Sequence, residues 1–173
     1  MLDWKQKWRF SMINEAIERL LLYDDHPLMI EASECATVRS ENKLLHALML
    51  LSTVGYSVIP VLDREQRLVG SISTPLILSG IKTSTEYNWD QLEEMTVGEV
   101  MNTRVGVLQQ PYDLEDVLHK LVDYNYVCIV DDHGLFIGMI TRKEILTRVN
   151  FLAHQIDHYY DLSEKDAILS LIS

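Results

Sequence analysis

Two adjoining segments decide the fold: Gly55-Tyr56-Ser57-Val58-Ile59-Pro60-Val61-Leu62-Asp63 and, after a charged turn, Leu68-Val69-Gly70-Ser71-Ile72-Ser73. Each is a short apolar run rich in β-branched residues and bounded by turn formers, so the pair reads as a β-hairpin. Just upstream, Leu44, Ala47, Leu48 and Leu51 have the i, i+3, i+4, i+7 spacing of one helical face. About 70 positions later the pattern returns. Leu114, Val117, Leu118 and Leu121 form the second helical face, followed by Asn125-Tyr126-Val127-Cys128-Ile129-Val130-Asp131 and Phe136-Ile137-Gly138-Met139-Ile140-Thr141. Gly70 matches Gly138 and Ser73 matches Thr141, the offset having dropped by about two, which the sequence assigns to a shorter second hairpin. Tyr56 is matched with Tyr126, each ring expected to cap a helix-to-strand corner. Each repeat closes on a further apolar helical segment, Leu76-Ile77-Leu78 and Ile145-Leu146. The unit is strand, helix, strand, strand, helix, present twice.

One such unit of about 60 residues buries too little apolar area to be comfortably stable. Two copies laid sheet to sheet complete each other's core, and a seam between them is expected to stay open. The resulting boundaries are residues 1–27 as an N-terminal amphipathic extension, 28–82 as repeat 1, 83–95 as linker, 96–148 as repeat 2 and 149–173 as a C-terminal helical tail. The polar run from Thr83 to Asp90 reads as an exposed link. Thr96-Val97-Gly98-Glu99 has capping-box spacing, and Asp113 stands where an N-cap starts the second core helix. Outside the repeats, Ile13, Ala16, Ile17, Leu20 and Leu21 make an apolar stripe, predicting a helix over 12–22 that packs on the pair or in a dimer. Trp4 and Trp8 precede it among Lys5, Lys7 and Arg9, the pattern of a membrane-surface anchor. Packing as a helix is the favoured alternative. The last repeat helix is expected to run through Ile156.

Charge and composition exclude several function classes. The 173 residues carry 15 Lys plus Arg against 26 Asp plus Glu, a net charge of −11, which repels polyanions. No clustered basic face suits a nucleic acid. No apolar run reaches the roughly 18–20 residues that cross a bilayer, and a signal peptide is not expected. Only Cys35 and Cys128 are present, with no CxxC pair. A reducing, cytoplasmic setting follows, both thiols serving as small apolar side chains. No phosphate-binding GxxxxGK[ST], GxSxG or HExxH occurs, and nothing assembles a nucleophile, base and orienting partner, so no catalysis and no cofactor are expected. His154 and His158 share a helical face near Asp157 and Asp161, but a solvated pair is the favoured reading over a metal site. His46 and His119, beside the apolar stripes, read as core or interface histidines.

The segment G-Y-x-x-I-P-V-x-D at residues 55–63 and its looser counterpart at residues 125–131, each followed by x-x-G-x-I-[ST], resemble a tandem CBS-domain pair, a Bateman module, over about residues 28 to 148. The resemblance implies an α/β fold of two β-α-β-β-α repeats related by pseudo-twofold symmetry, with helical extensions at both ends. The stretches Glu31-Ala32, Cys35-Ala36-Thr37-Val38, Gly55 to Asp63 and Ile140-Thr141-Arg142-Lys143 are similar to Firmicutes stand-alone CBS proteins that bind cyclic di-AMP. For such a protein the resemblance implies a homodimer whose ligand controls a protein partner such as an alarmone synthetase-hydrolase. Ala36, Val38, Tyr56, Ser57, Ile59 and Pro60 would then form an adenine slot with backbone edges. Thr141 would donate a hydroxyl, and Arg142 and Lys143 would meet phosphates at a helix start. An AMP-, ADP- or ATP-binding sensor and a ligand-free structural module are the alternatives. AMP- and ATP-binding relatives place an Asp three residues after the last Ser or Thr; here Leu76 and Glu144 stand there, and Pro75 reshapes the first turn. Glu34 stands where the cyclic-dinucleotide group often has a basic residue.

Overall fold

The computed structural model describes residues 13, 18, 21, 22 and 27–159. The chain divides into two compact units, one of residues 29–141 and one of residues 1–28 with 142–173. In the first, the helix stripes behave as the spacing predicts. α1 (Leu44–Val54) buries Leu44, Ala47 and Leu51, and α2 (Thr74–Gly80) buries Ile77. Two short helices follow the link, α3 (Gln91–Glu94) and α4 (Val97–Val100), and then α5 (Leu114–Asp123) buries Leu114, Val117 and Leu121. The inferred caps form. The Glu99 carboxylate accepts from the Thr96 N–H at 2.6 Å and from its hydroxyl at 2.7 Å, and Asp113 accepts from the Asp116 N–H at 2.8 Å. Residues 82–90 are exposed throughout, as the polar link requires. His46 and His119 are exposed, not core residues, because His46 falls one position before the buried Ala47 and His119 two positions after the buried Val117, each off the buried stripe of its helix.

Two sheets are built from β1 (Ile30–Glu31), β2 (Val38–Arg39), β3 (Val58–Leu62), β4 (Leu68–Ser73), β5 (Val107–Gln109), β6 (Tyr126–Val130) and β7 (Phe136–Thr141). One has the order β2-β3-β4, the other β1-β7-β6-β5. The single opening strand expected for each repeat is split. β1 leaves its own repeat and pairs antiparallel with β7, Ile30 opposite Met139, while β2 pairs parallel with β3. The exchange is reciprocal, since Asn102, near the start of the second repeat, pairs with Ser71 of β4 through two hydrogen bonds of 2.9 Å. Each sheet thus takes an edge from the other repeat, which covers backbone groups that would otherwise be unpaired.

The matched glycines are explained by that exchange. A Cβ at Gly70 would lie 2.8 Å from the Asn102 carbonyl oxygen, and one at Gly138 would collide with the Ile30 carbonyl and come within 2.8 Å of Met29. Only glycine lets the crossing backbone lie so close.

The register corrects the sequence alignment. Val58 pairs with Ser73 and Tyr126 with Thr141, so Tyr126 stands at the position of Val58, not of Tyr56. The two hairpins are equal in length. Asp63 accepts from the N–H groups of Glu65 and Arg67, and Asp131 likewise from His133 and Leu135. The two missing residues lie between helix and strand. α1 ends at Gly55 in the left-handed conformation (φ 70°), whereas α5 passes through an extended Tyr124 almost directly into β6.

In the second unit, α6 (Arg142–Tyr159) begins with no residue between it and β7 and continues beyond Ile156. Arg148, only 5% exposed, donates to Glu144 at 3.1 Å and to the Leu21 carbonyl at 3.0 Å. Of the predicted N-terminal helix, Glu18, Leu21 and Leu22 are helical; Trp4, Trp8 and their basic neighbours lie outside the described residues. His154 is exposed, and the side chain of His158 also lies outside them. No described helix is long and apolar enough to cross a membrane.

Candidate functional site

Strand pairing sorts the predicted site residues by face, because residues directly opposite on neighbouring strands share a side of the sheet. In the first sheet Val38, Ile59, Val61 and Ile72 face the helices and join a sealed core with Leu44, Ala47 and Ile77. Val38 is 3% exposed and Ile59 wholly buried, so each offers a ligand its backbone edge more than its side chain. The other face carries Val58, Pro60 and Leu62 opposite Ser73, Ser71 and Leu68. In the second sheet the corresponding face carries Tyr126, Cys128 and Val130 opposite Thr141, Met139 and Phe136.

These two faces meet. Leu62, Cys128, Phe136 and Met139 form one buried cluster, with Ile30, Ala32, Cys35, Leu68 and Tyr126 packed around it. The seam expected to stay open is therefore closed along this stretch by apolar side chains, each contributing about 1.5–3 kcal/mol by burial. Its other end is polar. The Tyr126 hydroxyl is hydrogen-bonded to the Ser71 side chain across the two sheets. Ser71 lies opposite Pro60, and Tyr126 opposite Thr141. The structure thus links Thr141 of the second repeat to Pro60 of the first through two hydroxyl-bearing side chains, one from each sheet. Burial is the larger influence on Tyr126, raising its pKa, while the Ser71 hydrogen bond lowers it.

Ala36 is half-buried two residues ahead of Val38. Because β2 runs parallel to β3, Ala36 lies toward the end of β3 that Tyr56 and Ser57 enter. Tyr56, 49% exposed, and Ser57 are open to solvent there, as is Glu34 in the turn before Ala36. Ser73 caps α2 by accepting from the Leu76 N–H at 3.4 Å, and Leu76 packs on the core instead of facing a ligand. Arg142 and Lys143 open α6 immediately after Thr141, in the other unit. Sequence reasoning missed Tyr126 and Ser71 as a pair. The only signal was two hydroxyls on strands the repeat already made equivalent, and their contact depends on sheet stacking.

Two clefts open at the carboxyl ends of the parallel strand pairs, one for each sheet. One, of about 490 Å³, is lined by residues that include Thr37, Arg39, Asn42 and Gln66; the other, of about 730 Å³, by Gln110, Pro111, Tyr112, Asp131 and Asp132. Apart from Val38 in the first, none of the predicted binding residues lines either. Among the described residues no group of His, Cys, Asp and Glu gathers as a metal site.

The CBS-domain family model matches residues 28–80 and 97–150, the two repeats just described. The chain belongs to the CBS-domain family. This CBS pair is 34% identical to cyclic di-AMP receptor B of Bacillus subtilis over 80% of the chain and 95% of that protein. Among solved structures, CbpB from Listeria monocytogenes in complex with c-di-AMP is 40% identical, with a TM-score of 0.68 over 73% of this chain and 94% of that one. CbpB from Streptococcus agalactiae is 29% identical, with a TM-score of 0.76 over 90% and 98%.

Proposed function

We propose that this CBS pair is a cytoplasmic regulatory protein without catalytic activity that binds cyclic di-AMP and, as a homodimer, transmits its occupancy to a protein partner. The observation that carries the reading is the polar end of the seam. There Thr141, Tyr126 and Ser71 bring hydroxyls from both repeats together, and β7 runs without a break into Arg142 and Lys143. A cyclic dinucleotide needs flat slots for adenine, hydroxyl donors and cationic groups for its two phosphates, and the half-buried Ala36 leaves room for a base beside the main chain. The relatives named or solved with this ligand support the same choice.

A mononucleotide sensor is the second reading. Its ribose hydroxyls would need the position of Glu144, and that carboxylate is already held by Arg148. The ligand alters partner affinity only by binding one state of the protein more tightly than the other; an alarmone synthetase-hydrolase is the partner class proposed.

Calorimetric titration with cyclic di-AMP tests the reading, with AMP and ATP run alongside. Saturable binding of cyclic di-AMP alone is expected. Replacing Arg142 with Ala should weaken it by about tenfold or more, the loss of one charge-assisted contact of about 1.5–3 kcal/mol, with the fold retained. Heat from AMP or ATP alone would favour the second reading, and no heat from any of the three a structural module.

A further inference from the structure

The two cysteines are distant in sequence and come together in the fold. Cys35 lies in the turn after β1, the strand that crosses into the second sheet. Its Sγ is 3.6 Å from the Ile30 carbonyl and hydrogen-bonded to the Met139 backbone. Met139 is the register partner of Ile30 on one side and of Cys128 on the other. Ile30, Met139 and Cys128 thus stand side by side on three adjacent strands, each about 4.8 Å from the next, and the Cys35 sulfur sits at the first of them. The two thiols and Met139 share one apolar cluster, and ionising either thiol disfavours ionising the other. Both are free thiols in the structure.

We propose that Cys35 and Cys128 are a redox pair that closes into an intrachain disulfide, pinning the crossing segment to the second-repeat sheet. Bridging asks for Cβ atoms about 3.5–4.5 Å apart, so the turn that carries Cys35 moves toward Cys128 as the bond forms. The oxidant is a small disulfide of the glutathione class. The Cys35 thiolate, on the half-buried turn, attacks one sulfur, forming a mixed disulfide and expelling one glutathione thiolate. The Cys128 thiolate then attacks the Cys35 sulfur, forming the protein disulfide and expelling the second. Two protein thiols are oxidised, one glutathione disulfide is reduced to two thiols, and the two protons end on those thiols or in solvent. Cys35 is followed directly by Ala36, so the bridge also restrains the turn leading into the adenine slot; that consequence rests on the function proposed above.

The full chain is incubated with oxidised glutathione and mapped by mass spectrometry without reduction. The expected product has lost two hydrogens, retains no glutathione and yields a linked peptide pair containing Cys35 and Cys128. Cys128→Ser should instead accumulate a stable glutathione adduct at Cys35, and the bridged protein should melt at a higher temperature than the reduced one. Persistent glutathione adducts on the parent protein, or two thiols that stay free, overturn the proposal. Titrating reduced and oxidised protein with cyclic di-AMP separates the two readings. A bridge in a protein that binds no cyclic di-AMP in either state leaves the redox pair standing and sinks the ligand.

Discussion

At the scale of single residues, Glu34 and Cys128 give the sharpest expectations. Glu34 is exposed beside Ala36, so on the proposed reading its carboxylate faces a ligand carrying two negative charges. Glu34→Lys should tighten cyclic di-AMP binding several-fold, more at low salt than at high, because an exposed charge acts through a screened field; isothermal titration at two ionic strengths checks this, and weaker binding would show that the carboxylate helps. Cys128 is different in kind. Burial, and then the nearby Cys35, push its pKa to about 12 from an ordinary 9.0. The fold favours the neutral thiol, so its contribution is fully present below pH 9 and is lost as pH rises toward 12. Denaturant titrations should show stability falling by about 1.4 kcal/mol per pH unit over that range from this group. Cys128→Ala should flatten that part of the profile. Cys35, pushed up to about 11 by burial and by Glu34, should alkylate slowly at neutral pH and faster with each added unit.

At the scale of elements, the exchanged strands matter most. The repeats were legible because the helix stripe, the hairpin and the x-x-G-x-I-[ST] ending recur as local patterns. That β1 would leave its own repeat was not legible. A two-residue strand has no pattern of its own, and its partner β7 lies far away in sequence. Gly138 records the crossing. A methyl group there meets the Ile30 carbonyl and Met29, backbone and half-buried side chain together. Gly138→Ala should destabilise the protein by about 1–3 kcal/mol, the usual cost of overpacking, and Gly70→Ala by a similar amount. Chemical denaturation measures both. A neutral result at Gly138 would mean that the crossing strand moves aside without cost. The two-residue difference between repeats was misplaced for a related reason: sequence spacing shows that residues are missing but not which corner lost them, and only the left-handed Gly55 against the extended Tyr124 locates the change.

At the scale of the whole molecule, Met49 on α1 and Val122 on α5 are 62% and 55% exposed, large apolar side chains left uncovered on the outer helices. They support the proposed homodimer. Light scattering should give twice the 20.0 kDa chain mass, and Met49→Asp combined with Val122→Asp should return the monomer; a parent protein that is monomeric at micromolar concentration would remove the dimer from the proposal. By itself the sequence determined the duplicated unit, its helices and hairpins, the capping residues and the family, because periodicity, turn chemistry and repetition are all written in residue order. Tertiary structure alone decided which side of each strand meets the other sheet. It sealed Val38 and Ile59 away, filled the middle of the seam with Leu62, Phe136 and Met139, and joined Tyr126 to Ser71 at its polar end. The reason is physical: a strand shows two faces with equal clarity in its alternation, and only the packing of one sheet on another chooses which of them is the interior.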